Sequence, residues 1–117
     1  NIEGMQALGM SCTTKKPITM VIYGAKNDTT VPPEDILASD GYFYEPMQNT
    51  VNDWKSAFNC SNSTTKETLS PANISETHFY DCDDGVTVTS ILDHNNDHDW
   101  PKPYKWGINL LFDPILN

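Results

Sequence analysis

Short apolar runs alternate with long polar stretches along this chain. Residues 18–23 form a mostly apolar, β-branched run that follows Pro17 and stops at Gly24, which is typical of a buried strand. Turn-forming residues fill positions 24–33. Asp28 is therefore expected on a loop at the carboxyl edge of that strand, the edge at which open α/β sheets build their sites.

A helical period follows a long acidic and aromatic excursion over residues 34–48. The apolar side chains that recur at helical spacing are Val51, Trp54 and Phe58. Asn49 or Thr50 is the predicted N-cap, and Asn59 lies near the predicted end. The pattern predicts one short amphipathic helix.

The second half of the chain predicts a hairpin, a polar loop and a last helix. Residues 60–74 are rich in Ser, Thr and Asn and are interpreted as an exposed loop or a weak edge strand. Residues 77–82 and 86–92 are β-branched and aromatic runs around an Asp-Gly turn, which predicts a hairpin. Residues 93–99 form a polar loop, and the apolar tail 106–116 predicts a helix that breaks near Pro114. We expect residues 1–16 to be a loop or tail and residues 17–117 to be the domain.

The length of the chain limits it to one small domain, and its charge excludes some classes of binding partner. Its 117 residues contain 7 basic residues, all Lys, against 16 acidic ones, for a net charge of −9. Phosphate backbones and anionic membranes bind clustered cations, so neither nucleic acid nor a membrane is an expected partner. No apolar run approaches the roughly 20 residues of a spanning helix.

Glycosylation acceptors and cysteines indicate a secreted protein. Four Asn-x-Ser/Thr sequons occur, at Asn27, Asn59, Asn62 and Asn73. The chain has three cysteines, an odd number, and in an oxidising compartment the unpaired thiol bonds outside the chain or stays free. We expect an extracellular location, with sugar on the last three sequons.

Asp28 and His98 are the candidate chemical pair. An imidazole that acts as a general base needs a buried carboxylate on one ring nitrogen, and both residues follow strands that could meet at one sheet edge. The alternative is that Asp28 only caps a turn and that His98 lies in a solvated loop.

The same loop contains candidate metal ligands. Asp93, Asn95 and Asp97 alternate like the first ligands of a calcium loop, but the Gly and Glu that such a loop requires are replaced by His98 and Tyr104. Zinc bound by His94 and His98 would need a helix, which the Asn and Asp content opposes. We predict no metal and no cofactor.

Four features, taken in order along the chain, resemble secreted α/β-hydrolase esterases of the polyhydroxybutyrate depolymerase and feruloyl or acetylxylan esterase group. They are Val21-Ile22-Tyr23-Gly24 followed by Asn27-Asp28-Thr29-Thr30-Val31-Pro32, the helix with Trp54 and Asn59-Cys60, Cys82 before Gly85-Val86, and His98-Asp99-Trp100-Pro101. The resemblance implies an α/β fold that is the carboxyl-terminal portion of such a hydrolase, a mixed sheet with a hairpin and flanking helices. It also implies that Asp28 is the triad acid, that His98 is the base and that Cys60 pairs with Cys82.

The nucleophile of such an enzyme is not recognisable in the chain. There is no GxSxG elbow, and Ser11 lacks both the second glycine and the preceding strand. We therefore expect an N-terminal half or a second chain, joined through Cys12, to carry the serine and oxyanion hole. The substrate would be an ester, such as a polyester or carbohydrate ester, and the chain alone would be inactive.

Two other interpretations stay open at this point. The fold could serve a structural or binding role in a non-catalytic secreted glycoprotein, or the chain could be an independent small domain. Asn27 offers an internal test, because a glycan beside a buried triad acid is hard to accommodate. If the triad is real, we expect Asn27 to be unmodified.

Overall fold

A computed structural model describes residues 14–68 and 73–99 of the chain. The elements are β1 (Met20–Ala25), α1 (Met47–Ala57), β2 (Asn62–Thr68), β3 (Ile74–Tyr80), a single 3-10 turn (Asp83–Gly85) and β4 (Val88–Asp93). The described part is thus a mixed α/β structure with one helix and one sheet. The predicted last helix, Ser11, Cys12 and the Trp100-Pro101 pair lie outside the described residues.

The four strands form one mixed sheet in the order β1-β4-β3-β2. β1 runs parallel to β4, whereas β4, β3 and β2 are joined by antiparallel pairing. The β3–β4 pair is the predicted hairpin, with Asp84 and Gly85 both at positive φ in its connection. The parallel pair brings the carboxyl ends of β1 and β4 to one edge, with Ala25 beside Asp93.

β2 confirms the edge-strand interpretation of the polar stretch. Asn62–Thr68 pairs along its whole length with β3, and all its side chains but the last are exposed. Both of its faces are polar, so the partner strand and not a hydrophobic pattern determines its conformation.

Two small hydrophobic cores form, one on each face of the sheet. Helix α1 packs on one face. Its residue Val51 and its C-cap residue Phe58 belong to one buried cluster with Ile22, Phe79 and Val88. Tyr23, Ile74 and Ile91 form the other core. Alternation along β1 explains the division, because neighbouring residues of a strand point to opposite faces.

Helix α1 begins earlier than the sequence predicted. Its N-cap is Pro46, and neither Asn49 nor Thr50 caps it; both lie in the first turns. The Met47 amide donates to the Pro33 carbonyl (2.9 Å) and the Met47 side chain is buried, so tertiary contacts extend the helix past the local capping preference. The predicted start of β1 also shifts, since Ile18 is 41% exposed and the strand begins at Met20.

A disulfide bond joins Cys60 to Cys82. It links the segment after α1 to the β3–β4 connection, and both sulfurs pack against the core beneath α1. The backbone of Asp83 also donates to the Phe58 carbonyl (2.8 Å), so the two segments are held together by a covalent and a hydrogen bond. Among the described helices, none is long and apolar enough to cross a membrane.

Candidate active site

Asp28 lies in the turn directly after β1, and the turn is built around its side chain. Oδ1 accepts the backbone amides of Thr30 and Val31, both at 2.8 Å. This arrangement is the local hydrogen bonding that Asp favours in turns. The Asp28 residue is only 1% exposed, and Pro32 and Pro33 later in the same segment are also buried.

The loop after β4 runs alongside this turn and carries His98. Backbone bonds extend the β1–β4 pairing beyond the strands: Lys26 donates to Asp93 (2.8 Å) and Asn27 donates to Asn96 (3.1 Å). The Asn27 side chain also donates to the His94 carbonyl at 3.4 Å. The two polar segments are therefore joined edge to edge.

Asp28 and His98 meet at that edge. His98 Nδ1 lies 2.8 Å from Asp28 Oδ2, and the two residues are 70 positions apart in the chain. An ionised carboxylate can only accept, so Nδ1 carries the hydrogen of this bond. The His98 side chain is 43% exposed, in contrast to its buried partner. We call these two residues the Asp28–His98 dyad.

The dyad places a buried carboxylate on one nitrogen of a partly exposed imidazole. A carboxylate on Nδ1 fixes the imidazole tautomer and stabilises the imidazolium, while Nε2 is the atom that takes a proton from a nucleophile. Three hydrogen bonds to the Asp28 carboxylate, two from the backbone and one from the ring, hold the acid in one orientation.

A second group of buried polar residues lies behind the dyad, and the sequence patterns did not reveal it. The Tyr23 hydroxyl donates to Asp93 Oδ2 (2.8 Å), and Asn96 Nδ2 donates to the same hydroxyl (3.1 Å). The sequence places Tyr23 in a buried strand and Asp93 and Asn96 in a polar loop, and no pattern connects the three residues. The available signal was the phenol itself, because a tyrosine in a buried strand needs a polar partner.

The other two histidines bond elsewhere. His94 Nε2 lies 2.7 Å from Ser75 Oγ, whose hydroxyl also lies 2.7 Å from Glu67 Oε2. His78 faces its cross-strand neighbour Thr89, with Nδ1 3.2 Å from its hydroxyl, as expected for a residue in a strand. Within the two described ranges, no three His, Cys, Asp or Glu side chains come together as a metal-binding group.

A pocket of about 270 Å³ lies over the sheet face that carries α1. Met47 and Leu92 are among its apolar walls, and hydroxyls of Ser75, Thr77 and Ser90 line its floor. Since Ser75 also contacts His94, the pocket adjoins the base of the loop that carries the dyad. Its volume is close to that of the smallest ligand pockets in proteins, which is about 300 Å³.

The sequons are all exposed, and each side-chain amide donates a hydrogen bond. Asn59 donates to Asp83 (2.7 Å), Asn62 to Asp81, and Asn73 to Asn95 (3.4 Å). Asn27 differs from these three because its donation to the His94 carbonyl attaches it to the dyad loop.

The structure thus brings Asp28 and His98 together and joins Cys60 to Cys82, whereas Cys12 lies outside the described residues. In the sequence, only strand order and the family resemblance indicate that Asp28 and His98 belong to one site. Comparisons of the chain with protein-family models, curated proteins and solved structures found no match.

Proposed function

We propose that the chain supplies the acid and base of a secreted serine esterase. The single observation that carries the proposal is the 2.8 Å contact between His98 Nδ1 and the 1% exposed carboxylate of Asp28. A turn that needed only an Asp cap would use Oδ1 alone, as Thr30 and Val31 already do. The second oxygen is directed at an imidazole, and this contact supports the proposal because a triad acid bonds its histidine in that way.

His98 would act first as a base and then as an acid. Its Nε2 accepts the proton of a serine hydroxyl as that oxygen attacks the ester carbonyl, and the imidazolium that forms is stabilised by Asp28. The proton then passes to the leaving alcohol, which leaves an acyl-serine. Water attacks the acyl-serine in the second half of the cycle, and His98 takes its proton. His98 then returns that proton to the serine oxygen as the carbon–oxygen bond to serine breaks and the carboxylic acid leaves.

The serine and oxyanion hole would be carried by an N-terminal half or a second chain. Cys12 provides a thiol through which that partner could be bonded to residues 1–16. The substrate class is a carboxylic ester, such as a polyester or a carbohydrate ester. A disulfide is typical of oxidising compartments, so Cys60–Cys82 supports the extracellular location that is part of this proposal.

The test is covalent labelling of the native protein with a fluorophosphonate, which phosphonylates activated serines with loss of fluoride. We expect the label on a serine outside these 117 residues. It lies either in an N-terminal half of a longer chain or in a second polypeptide that reduction releases. Labelling and ester turnover should both be absent from the isolated 117-residue chain. Turnover by the isolated chain that is abolished by His98→Ala would require a nucleophile within it and would contradict the assignment.

Variants of the complete protein then test the two roles. Asp28→Asn should lower kcat by about 10⁴-fold, the effect of the same change in a serine protease triad. His78→Gln is the matched control, because His78 lies on the sheet and bonds Thr89 instead of the dyad. Equal losses in the dyad variants and in the control would show that the effect is structural.

A non-catalytic secreted glycoprotein is the second candidate. It is favoured by the exposure of Asn59, Asn62 and Asn73, which lie near the ends of β2 and β3. This candidate predicts that deglycosylated native material has one mass near 13 kDa, the mass of this chain, with and without reductant. It also predicts no fluorophosphonate labelling.

A further inference from the structure

We propose that Tyr23, Asp93 and Asn96 form a positioning unit that holds His98 against Asp28. The catalytic meaning of this inference rests on the proposed function, but the unit itself is defined by hydrogen bonds and burial. All three side chains are buried: Tyr23 is 0% exposed, Asp93 3% and Asn96 7%. Their hydrogen bonds run to one another and to the backbone of the loop that carries His98, so we assign them as positioning residues.

The directions of the hydrogen bonds are determined by the chemistry of the groups. A phenol has one hydrogen, and Tyr23 gives it to the acceptor-only carboxylate of Asp93 at 2.8 Å. The Tyr23 oxygen must then accept, and Asn96 Nδ2 lies 3.1 Å away to donate. The second hydrogen of the same amide is directed to the Asp99 carbonyl, at 3.0 Å. The side chain of Asn96 is therefore oriented by two acceptors.

This arrangement brackets His98 within its loop. Asn96 lies two residues before His98. Its side chain donates to the carbonyl of Asp99, the residue directly after His98. The backbone oxygen of Asn96 accepts the amide of Asn27, which directly precedes Asp28. Asn96 thus contacts both the turn that carries Asp28 and the loop that carries His98. Its bond to Tyr23 attaches it to β1.

Burial makes the arrangement stiff. In the protein interior, a polar group that loses its hydrogen-bond partner is costly, so alternative loop conformations that break these bonds are disfavoured. Tyr23→Phe keeps the ring in the core and removes only the oxygen. It deletes one donor to Asp93 and one acceptor of Asn96, which should allow the loop to move His98 away from Asp28.

The test reads the tautomer of His98 directly. In the full protein labelled with ¹⁵N in its histidine rings, the His98 signal is assigned with His98→Gln. We expect neutral His98 to be protonated on Nδ1, and we expect Asp28→Asn to remove that preference. Tyr23→Phe should shift the population toward the Nε2–H form and lower kcat about 10- to 100-fold with little change in KM, the effect of a small misplacement.

The control is Tyr42→Phe, which removes the hydroxyl of a tyrosine that is 69% exposed, and it should leave the tautomer and kcat unchanged. Asn96→Ala provides a second variant with the same expected shift, in case Tyr23→Phe loses the native amide spectrum. An unchanged Nδ1–H population in a folded Tyr23→Phe protein would overturn the positioning role while leaving the dyad intact. A wild-type His98 without the Nδ1–H form would overturn the dyad and with it the proposed function.

Discussion

Removal of the Cys60–Cys82 disulfide should lower the free energy of unfolding by about 3 kcal/mol. The two residues are 22 positions apart, and they close a loop that contains β2 and β3. In the chain-entropy model, closing a loop of this size removes about 11 cal/mol/K from the unfolded state, which is about 3.4 kcal/mol at 25 °C. The lower stability should come mainly from the greater entropy of the unfolded chain. The folded state should change little, because backbone hydrogen bonds such as Asp83 to Phe58 also join the two segments there.

The assay is urea unfolding followed by circular dichroism. Cys60→Ala/Cys82→Ala is compared with its parent, both in a Cys12→Ser background so that thiol exchange is excluded. The urea dependence should steepen in the double variant, because its unfolded chain exposes more surface. Reductant should lower the stability of the parent by a similar amount and leave the double variant unchanged. A difference below about 1 kcal/mol would refute the loop-closure argument.

Three further predictions concern the core and the surface. Phe58→Ala should cost about 3–5 kcal/mol in urea unfolding, because the ring is fully buried beneath α1. Thr50→Val should stabilise the protein by about 1 kcal/mol, since the Thr50 hydroxyl is buried without a hydrogen-bond partner among the described residues. A hydrogen bond from Tyr44 lowers the pKa of Asp40 and raises the pKa of Tyr44, so Tyr44→Phe should raise the Asp40 pKa in a carbon-13 NMR titration. The stability that this bond contributes is then lost as pH falls through the lowered Asp40 pKa, and also as pH rises through the raised Tyr44 pKa.

Elements with a strong local signal were predictable from sequence. The run that ends at Gly24 gave β1, and Asp84-Gly85 between two β-branched runs gave the β3–β4 hairpin. In both cases the hydrophobic pattern and the turn chemistry agree. The predicted start of α1 was wrong, because the local capping preference and the packing disagree there. Asn49 and Thr50 are favourable caps, but the buried side chain of Met47 makes α1 begin earlier, with Pro46 as its N-cap.

The candidate site divides in the same way. Asp28 and His98 could be placed at one edge because strand order alone brings the ends of parallel strands together. The Tyr23 hydroxyl could not be assigned to Asp93 and Asn96, since those bonds depend on side-chain directions across a separation of about seventy residues. Periodicity carries no information on such contacts.

The parallel pairing of β1 with β4 has a consequence for the order in which the chain folds. β2, β3 and β4 follow one another and pair through short connections, whereas β1 waits for a partner 68 residues downstream of Met20. Closing that long loop costs more entropy than closing the two hairpins, so the β2–β3–β4 meander should form early and β1 should dock late. Asp28 would meet His98 only in that last step. Formation of the dyad would therefore coincide with the docking of β1 onto the sheet.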